Sequence, residues 1–280
     1  MGDALAVIDL DLRRLERRGD LVFDDLALLG ADLLIKTLDG IEKGTITQIF
    51  GPPSSGKSNI ALNLAVNVAK NNRKAIYIDT EGGISIDRIK QISGGDFPRV
   101  ANNIIVFEPT TFLEQNDNLR SIDVWLRKNH EDVDLLVLDS AVALYRVDDM
   151  KSAKLNKELG KQMGILSKIA RTYDIAVVLT NQIYNAFDEE GNNDIRAVGG
   201  TILQYWSKVI LQLERGDETN KRVATLIRHR SIPEGKKAIF SITSSGSIPF
   251  PSDLLIFLPC ESLTKPWKRT LLNGFLPICS

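Results

Sequence analysis

Residues 51 to 58 read G-P-P-S-S-G-K-S, two glycines, a lysine and a hydroxyl in the pattern G-x-x-x-x-G-K-[S/T]. Gly51 and Gly56 permit a tight backbone whose successive N–H groups point inward at phosphate oxygens, with Pro52, Pro53, Ser54 and Ser55 filling the turn between them. Lys57 can reach the outer phosphates as a point charge, and the Ser58 hydroxyl can ligate Mg²⁺. A helix starting here adds the positive end of its dipole. An ordinary Gly-rich strand-to-helix turn is the plain alternative. The order of strand, loop, lysine, hydroxyl and helix argues against it.

A nucleotide site needs more than a phosphate cradle. The run D-L-L-V-L-D ends in Asp139, followed by Ser140, which is the pattern of an acidic group holding Mg²⁺ through its water shell opposite Ser58. An aspartate at a strand end is common for trivial reasons, so its weight comes from standing downstream of the phosphate loop. Glu81, in Y-I-D-T-E-G-G, lies just past a second strand at the edge where open α/β sheets bind ligands. A carboxylate there can orient or deprotonate an attacking water; as a solvated loop glutamate it would do neither.

These residues need a scaffold, and the hydrophobic pattern supplies one. Apolar, β-rich runs at 45–50, 74–79, 104–108, 134–139 and 175–180 alternate with helical patterns at 57–70, 114–129 and 153–172. Near-continuous apolar strands between helices predict an α/β fold, a mostly parallel sheet with helices on both faces. After residue 207 the rhythm becomes strand, turn, strand, turn, strand (KVILQLE, KRVATLIRH, KAIFSIT), an antiparallel C-terminal meander at one edge. The chain divides into a lead-in over 1–36, a core over 37–249 and an irregular tail over 250–280. Residues 3–18 read as a short helix bearing Arg13, Arg14, Arg17 and Arg18, either a solvated face or a DNA contact.

Composition narrows the classes. Lys+Arg of 35 against Asp+Glu of 36 leaves a net charge of −1, so nucleic-acid binding would have to come from local loops. Cys260 and Cys279 show neither metal-like nor redox-like spacing, which suits a reduced cytoplasmic setting. Asp3 and Asp9 stand where a signal peptide would carry positive charge, and no apolar run reaches the roughly 18 residues of a membrane helix. The expectation is a soluble protein with no membrane partner.

Taken in order, G-P-P-S-S-G-K-S, Y-I-D-T-E-G, L-L-V-L-D-S, V-V-L-T-N-Q, the double glycine at 199–200 and S-I-P-E-G resemble the RecA/RadA recombinase family. The likeness covers about 37 to 249 and is nearest to a short archaeal paralogue within that family, with K-T-L-D, I-E-K-G-T-I-T-Q-I-F-G-P-P, W-S-K at 206–208 and A-T-L-I-R-H-R-S-I-P-E-G in common. There is no room for the helix-hairpin-helix domain that precedes the longer members' core. The resemblance implies a RecA-like P-loop ATPase with ATP and Mg²⁺ as cofactors. It implies Lys57 and Ser58 on phosphate and metal, Asp139 on the magnesium shell, Glu81 as the water-activating carboxylate, and Arg88 stacked on adenine. Asn181 and Gln182 would end the fifth strand, the glutamine sensing the γ-phosphate and heading a mobile DNA-binding loop over 183–200 with Tyr184, Phe187 and Arg196. A first loop would follow Asp139, with Arg146, Lys151 and Lys154. Arg228 and Arg230 match cations that related ATPases present to a neighbour's nucleotide; as surface strand arginines they would do nothing of the kind.

The same resemblance implies single-stranded DNA as a partner, and a RadA recombinase or a Holliday-junction resolvase as protein partners. Some features depart from the family. Asp39-Gly40 runs straight into Ile41 without the usual Gly-rich stretch, and Ser54-Ser55 stands where glycine or alanine is frequent. The Phe-x-x-Ala polymerisation motif is not evident, since Phe23 is followed by Asp-Asp-Leu, so an oligomer through that contact is not expected. The tail after 249 resembles nothing in the family. Three readings follow: a weak, DNA-dependent ATPase that binds single-stranded DNA in recombination and repair, a RecA-like regulatory ATPase acting on protein without DNA, or a binding module using ATP only as a conformational ligand.

Overall fold

A computed structural model describes residues 41–147, 152–187, 193–197, 200–218, 220–243 and 246–249. The lead-in with its arginines and Phe23, the Asp39-Gly40 junction, Lys151 and the tail after 249 lie outside the described residues. The strands are β1 (Ile46–Gly51), β2 (Lys74–Asp79), β3 (Ile104–Phe107), β4 (Val133–Asp139), β5 (Ala176–Phe187), β6 (Asn193–Ala197), β7 (Val209–Arg215), β8 (Lys221–Arg228), β9 (Lys237–Thr243) and β10 (Gly246–Pro249). The helices are α1 (Lys57–Lys70), α2 (Ile86–Ser93), α3 (Phe97–Asn103), α4 (Phe112–Asn129), α5 (Ala143–Val147), α6 (Ser152–Tyr173) and α7 (Gly200–Trp206).

The sheet runs β10-β9-β8-β7-β1-β5-β4-β2-β3, with β6 paired onto the end of β5. Pairs among β7, β1, β5, β4, β2 and β3 are parallel, and β7-β8, β8-β9 and β9-β10 are antiparallel. This is the expected α/β fold with its C-terminal meander. The core explains the apolar strands. Ile49, Tyr77, Leu135 and Val137 pack with Ile60 and Leu64 of α1 on one face, while Ile46, Leu136 and Leu138 pack with Leu119 of α4 and Leu166 of α6 on the other. Strands buried on both faces have no polar alternation to show.

Parallel pairing aligns the carboxyl ends of the strands. Gly51 lies opposite Gln182, and Asp79 opposite Asp139. The chemistry-bearing residues of four separate motifs thus meet at one edge. β8 runs the other way, so Arg228 pairs with Ile210 near the amino edge, away from the phosphate loop of its own chain.

The structure differs from the sequence reading in several places. Helices α2, α3, α5 and α7 were not expected, being short segments whose apolar period spans at most two turns. Within 183–200, expected as a mobile loop, residues 183–187 extend β5 and pair antiparallel with β6 over 193–197, from Ile183 opposite Ala197 to Phe187 opposite Asn193. Strand β5 begins in the apolar sheet interior beside β1 and β4, and beyond Gln182 it continues as the partner of β6.

Candidate functional site

β1 delivers the chain to the phosphate loop at Gly51, where a Cβ would stand 2.2 Å from the Leu213 carbonyl oxygen of the neighbouring strand, so only glycine passes. Gly56, at φ 101, caps α1 in a left-handed conformation and without a side-chain cap, which leaves the first N–H groups of that helix facing the loop. The Ser55 hydroxyl is buried inside the loop with no hydrogen-bond partner. Lys57 turns back into this cradle, its Nζ donating to the Gly51 and Pro52 carbonyls at 3.0 and 2.9 Å. Burial pushes its pKa below the ordinary lysine value, and Asp139 and Glu81 pull against that shift. A ring of inward amides with a partly desolvated cation is a fit for a polyphosphate. Arg215, at the end of β7, buttresses the loop from outside by donating to the Pro53 carbonyl at 2.9 Å.

Asp139 sits 8 % exposed at the end of β4. Its Oδ1 accepts from Ser58 Oγ at 3.2 Å and from Thr180 Oγ1, and its Oδ2 accepts from Tyr77 Oη at 2.6 Å. Three hydroxyls from β2, α1 and β5 hold one carboxylate in place. Burial and the adjacent Asp139 charge raise the Tyr77 pKa well above its usual value, so this phenol remains a donor. Ser58 and Asp139 facing each other make a fitting place for Mg²⁺, which prefers one or two protein oxygens together with phosphate and water. Among the described residues no cluster of three or more His, Cys, Asp or Glu offers an all-protein metal cage.

Glu81 occupies a different setting, exposed on a turn that buried Asp79 pins by accepting from the Glu81 and Ile84 amides at 3.1 and 2.7 Å. Its Oε1 accepts from Ser140 Oγ at 3.1 Å and from Gln182 Nε2 at 3.0 Å. The other end of the same Gln182 amide accepts from Arg146 Nη1 at 3.0 Å. Glu81, Gln182 and Arg146, from three separate segments, therefore form one hydrogen-bonded chain. Arg88, on α2 behind its Ser85 cap, donates through Nε to Asn59 Oδ1 at 3.0 Å, one residue past Ser58. That puts a planar cation beside the phosphate loop.

Other expected residues lie farther off. Lys154 is exposed near the start of α6. Tyr184 and Arg196 face each other across the β5-β6 pair, and Phe187 ends β5; their side chains lie outside the described part. Arg228 donates to the Gln204 carbonyl at 2.7 Å, and Arg230 forms an ion pair with Glu42 at the amino edge. The sequence reading missed Tyr77, Thr180, Ser140, Asn59 and Arg215. Hydroxyls at the carboxyl ends of adjacent strands were the available signal, but only strand order shows that β2, β4 and β5 are neighbours.

The Rad51 family model matches residues 28–249. The DNA repair and recombination protein RadB of Methanobrevibacter smithii is 74 % identical over 209 residues, covering 75 % of this chain and 89 % of that protein. RadB of Methanothermobacter thermautotrophicus is 47 % identical over 207 residues, 74 % of this chain and 88 % of that one. A crystal structure of the RadB recombinase superposes with a TM-score of 0.65 at 33 % identity, over 75 % of this chain and 93 % of that one. Matched in sequence and in fold along most of its core, the chain belongs to the Rad51 family, within its RadB group.

Proposed function

We propose that this protein binds ATP with Mg²⁺ at the carboxyl edge of the sheet, hydrolyses it slowly, and acts in recombinational DNA repair by binding single-stranded DNA. Its RadB relatives are named for DNA repair and recombination. Gly51 to Ser58 would hold the phosphates, with Ser58 and Asp139 toward the metal and Arg88 toward the base. Mg²⁺, when bound, would neutralise charge developing on the phosphate oxygens. Lys57 would place its ammonium on the outer phosphates, exchanging the Gly51 and Pro52 carbonyls for them. Glu81, exposed and already accepting two hydrogen bonds, is free on its outer side to orient a water and take its proton.

The observation that carries the DNA reading is the chain Glu81–Gln182–Arg146. Gln182 uses its donor on the proposed catalytic carboxylate and its acceptor on an arginine of the proposed first DNA loop. A DNA phosphate that draws Arg146 away releases the Gln182 carbonyl, and the amide can then reorient toward a terminal phosphate. Such a coupling needs contacts that differ between the two states, and this one has them. Arg228 and Arg230 would serve only a neighbouring subunit's nucleotide, since both lie at the edge away from their own loop. A RadA recombinase or a Holliday-junction resolvase as protein partner rests on family membership alone.

The test is ATP turnover with and without single-stranded DNA, alongside a salt titration of DNA binding. Turnover should rise with DNA, and the affinity should fall steeply with salt. Turnover indifferent to DNA, with no salt-dependent binding, would leave a regulatory ATPase acting on protein.

A further inference from the structure

Helix α6 carries Lys154, Lys157, Lys161, Lys168 and Arg171 against a single acid, Glu158, in a chain whose net charge is −1. Its buried side is Leu155, Leu159, Gln162, Met163, Leu166, Ile169 and Ala170. At about 100° per residue, the five cations fall within an arc of about 100° centred opposite that buried side. All five are exposed, and Glu158 stands outside the arc. From Lys154 to Arg171 the stripe is about 25 Å long at 1.5 Å per residue. It starts where the proposed first DNA loop ends and runs toward the amino edge of the sheet.

The neighbouring charges leave the stripe basic. Lys161 pairs with Glu158 at 2.6 Å and Lys168 with Asp123 of α4 at 2.7 Å, and both lysines remain about half exposed. Such exposed pairs contribute little and keep ammonium donors available. Arg120 of α4 and Lys157 also act on Glu158, and Arg127 lies near Tyr173, so the flanking acid on the helix itself has more than one cation about it. Gly160, mid-helix beside the arc, has open space where a Cβ would be. Glycine there costs about 1 kcal/mol against alanine and has no packing reason among the described residues.

We infer that the outer face of α6 is a second contact surface for the phosphate backbone of single-stranded DNA, continuing the path from the loop before it. A stacked strand advances about 3.4 Å per nucleotide, so 25 Å spans about seven phosphates. A protein without a global basic field would in this way obtain a local one from a single helix. The inference rests on the single-strand-binding reading, but it concerns residues that touch neither Arg146 nor the nucleotide.

The experiment uses the full chain, a fluorescein-labelled 40-nucleotide single strand, and three proteins: wild type, Lys157→Gln/Arg171→Gln, and Arg146→Ala. Each neutralised contact on a single strand should make the salt slope shallower by about 0.7. The double variant should therefore lose about 1.4 in slope and about tenfold in affinity near 0.15 M salt, with ATP affinity and melting temperature unchanged. A double variant that binds DNA like wild type overturns the inference, while a loss with Arg146→Ala would then still support the loop reading. If Arg146→Ala binds like wild type and the double variant does not, the α6 surface stands and the loop reading fails. A wild type that binds no single strand, or is displaced equally well by polyglutamate, overturns the proposal.

Discussion

Two carboxylates share the candidate site and are held in opposite ways. Asp139 is buried and receives three hydroxyl donors, from Ser58, Tyr77 and Thr180, each anchored on an element of the core. Glu81 is exposed and receives two, from Ser140 and from Gln182, whose own amide is tied to an exposed arginine. The first arrangement has one geometry, because a buried donor that lost its acceptor would be left unsatisfied. The second can exchange partners with water or phosphate at little cost. Under the proposed roles, the metal corner would be rigid and the water-activating corner responsive. Conformational signals should therefore enter through Glu81 and its partners.

Mutations can break this contrast, and the largest effect should come from the responsive side. Glu81→Gln keeps the hydrogen bonds but removes the proton acceptor, so turnover should fall by about 10²- to 10⁴-fold with ATP affinity within about twofold. Equal loss of binding and turnover would mean that Glu81 is a structural residue. Lys57→Ala should weaken ATP binding by about 100-fold by calorimetry, the cost of one charge-assisted contact to phosphate. Because burial depresses the Lys57 pKa, wild-type ATP affinity should also decline at lower alkaline pH than an ordinary lysine would give.

A third carboxylate, far from the site, supplies a baseline. Asp134 accepts from Arg73 Nε and Nη2 at 2.9 Å each and from Lys43 at 2.7 Å, at the opposite edge of the sheet. Burial pushes its carboxyl up, but these two cations more than offset that and leave its pKa below the usual aspartate value. A depressed folded pKa means stability that is present above the unfolded pKa and is lost as pH falls through the folded one. Asp134→Asn should thus cost about 2 kcal/mol near neutral pH and flatten the acid limb of a melting-temperature profile, with ATP binding untouched.

On the rigid side, Tyr77→Phe removes one donor from Asp139 without emptying the core. Mg²⁺-dependent nucleotide binding should then need about tenfold more Mg²⁺, at the low end of what a supporting hydrogen bond to a metal group costs. Binding measured in chelator should not change, and a loss there as well would show a folding defect instead. The smallest effect should be Gln182→Ala. ATP affinity should hold, while the difference in single-strand affinity between ATP and ADP, expected to be a few-fold, should vanish. A difference that survives would place the coupling at a subunit interface, with Arg228 or Arg230 as its carriers.

The local chemistry was legible from the residues alone. G-P-P-S-S-G-K-S needs no neighbours to be recognised, because its glycines, lysine and hydroxyl act through local backbone geometry and the helix that follows. Strands buried on both faces and long helices with a full apolar period were likewise visible, since burial writes itself into composition. Short helices such as α2 and α7, and the β5-β6 pair, were not. Their stability comes from caps, cross-strand pairing and tertiary contacts that leave little periodicity.

What only the tertiary structure decided is which residues meet. Glu81 was named from its place after a strand, and Arg146 from the family resemblance, in the loop after Asp139. That both reach Gln182 follows from the strand order β5-β4-β2, a long-range property with no sequence period. The same order brings Tyr77 and Thr180 to Asp139, and antiparallel β8 carries Arg228 to the far edge. Side-chain type is a local fact and pairing is a global one, since parallel strands join only through crossovers whose length does not state the neighbour.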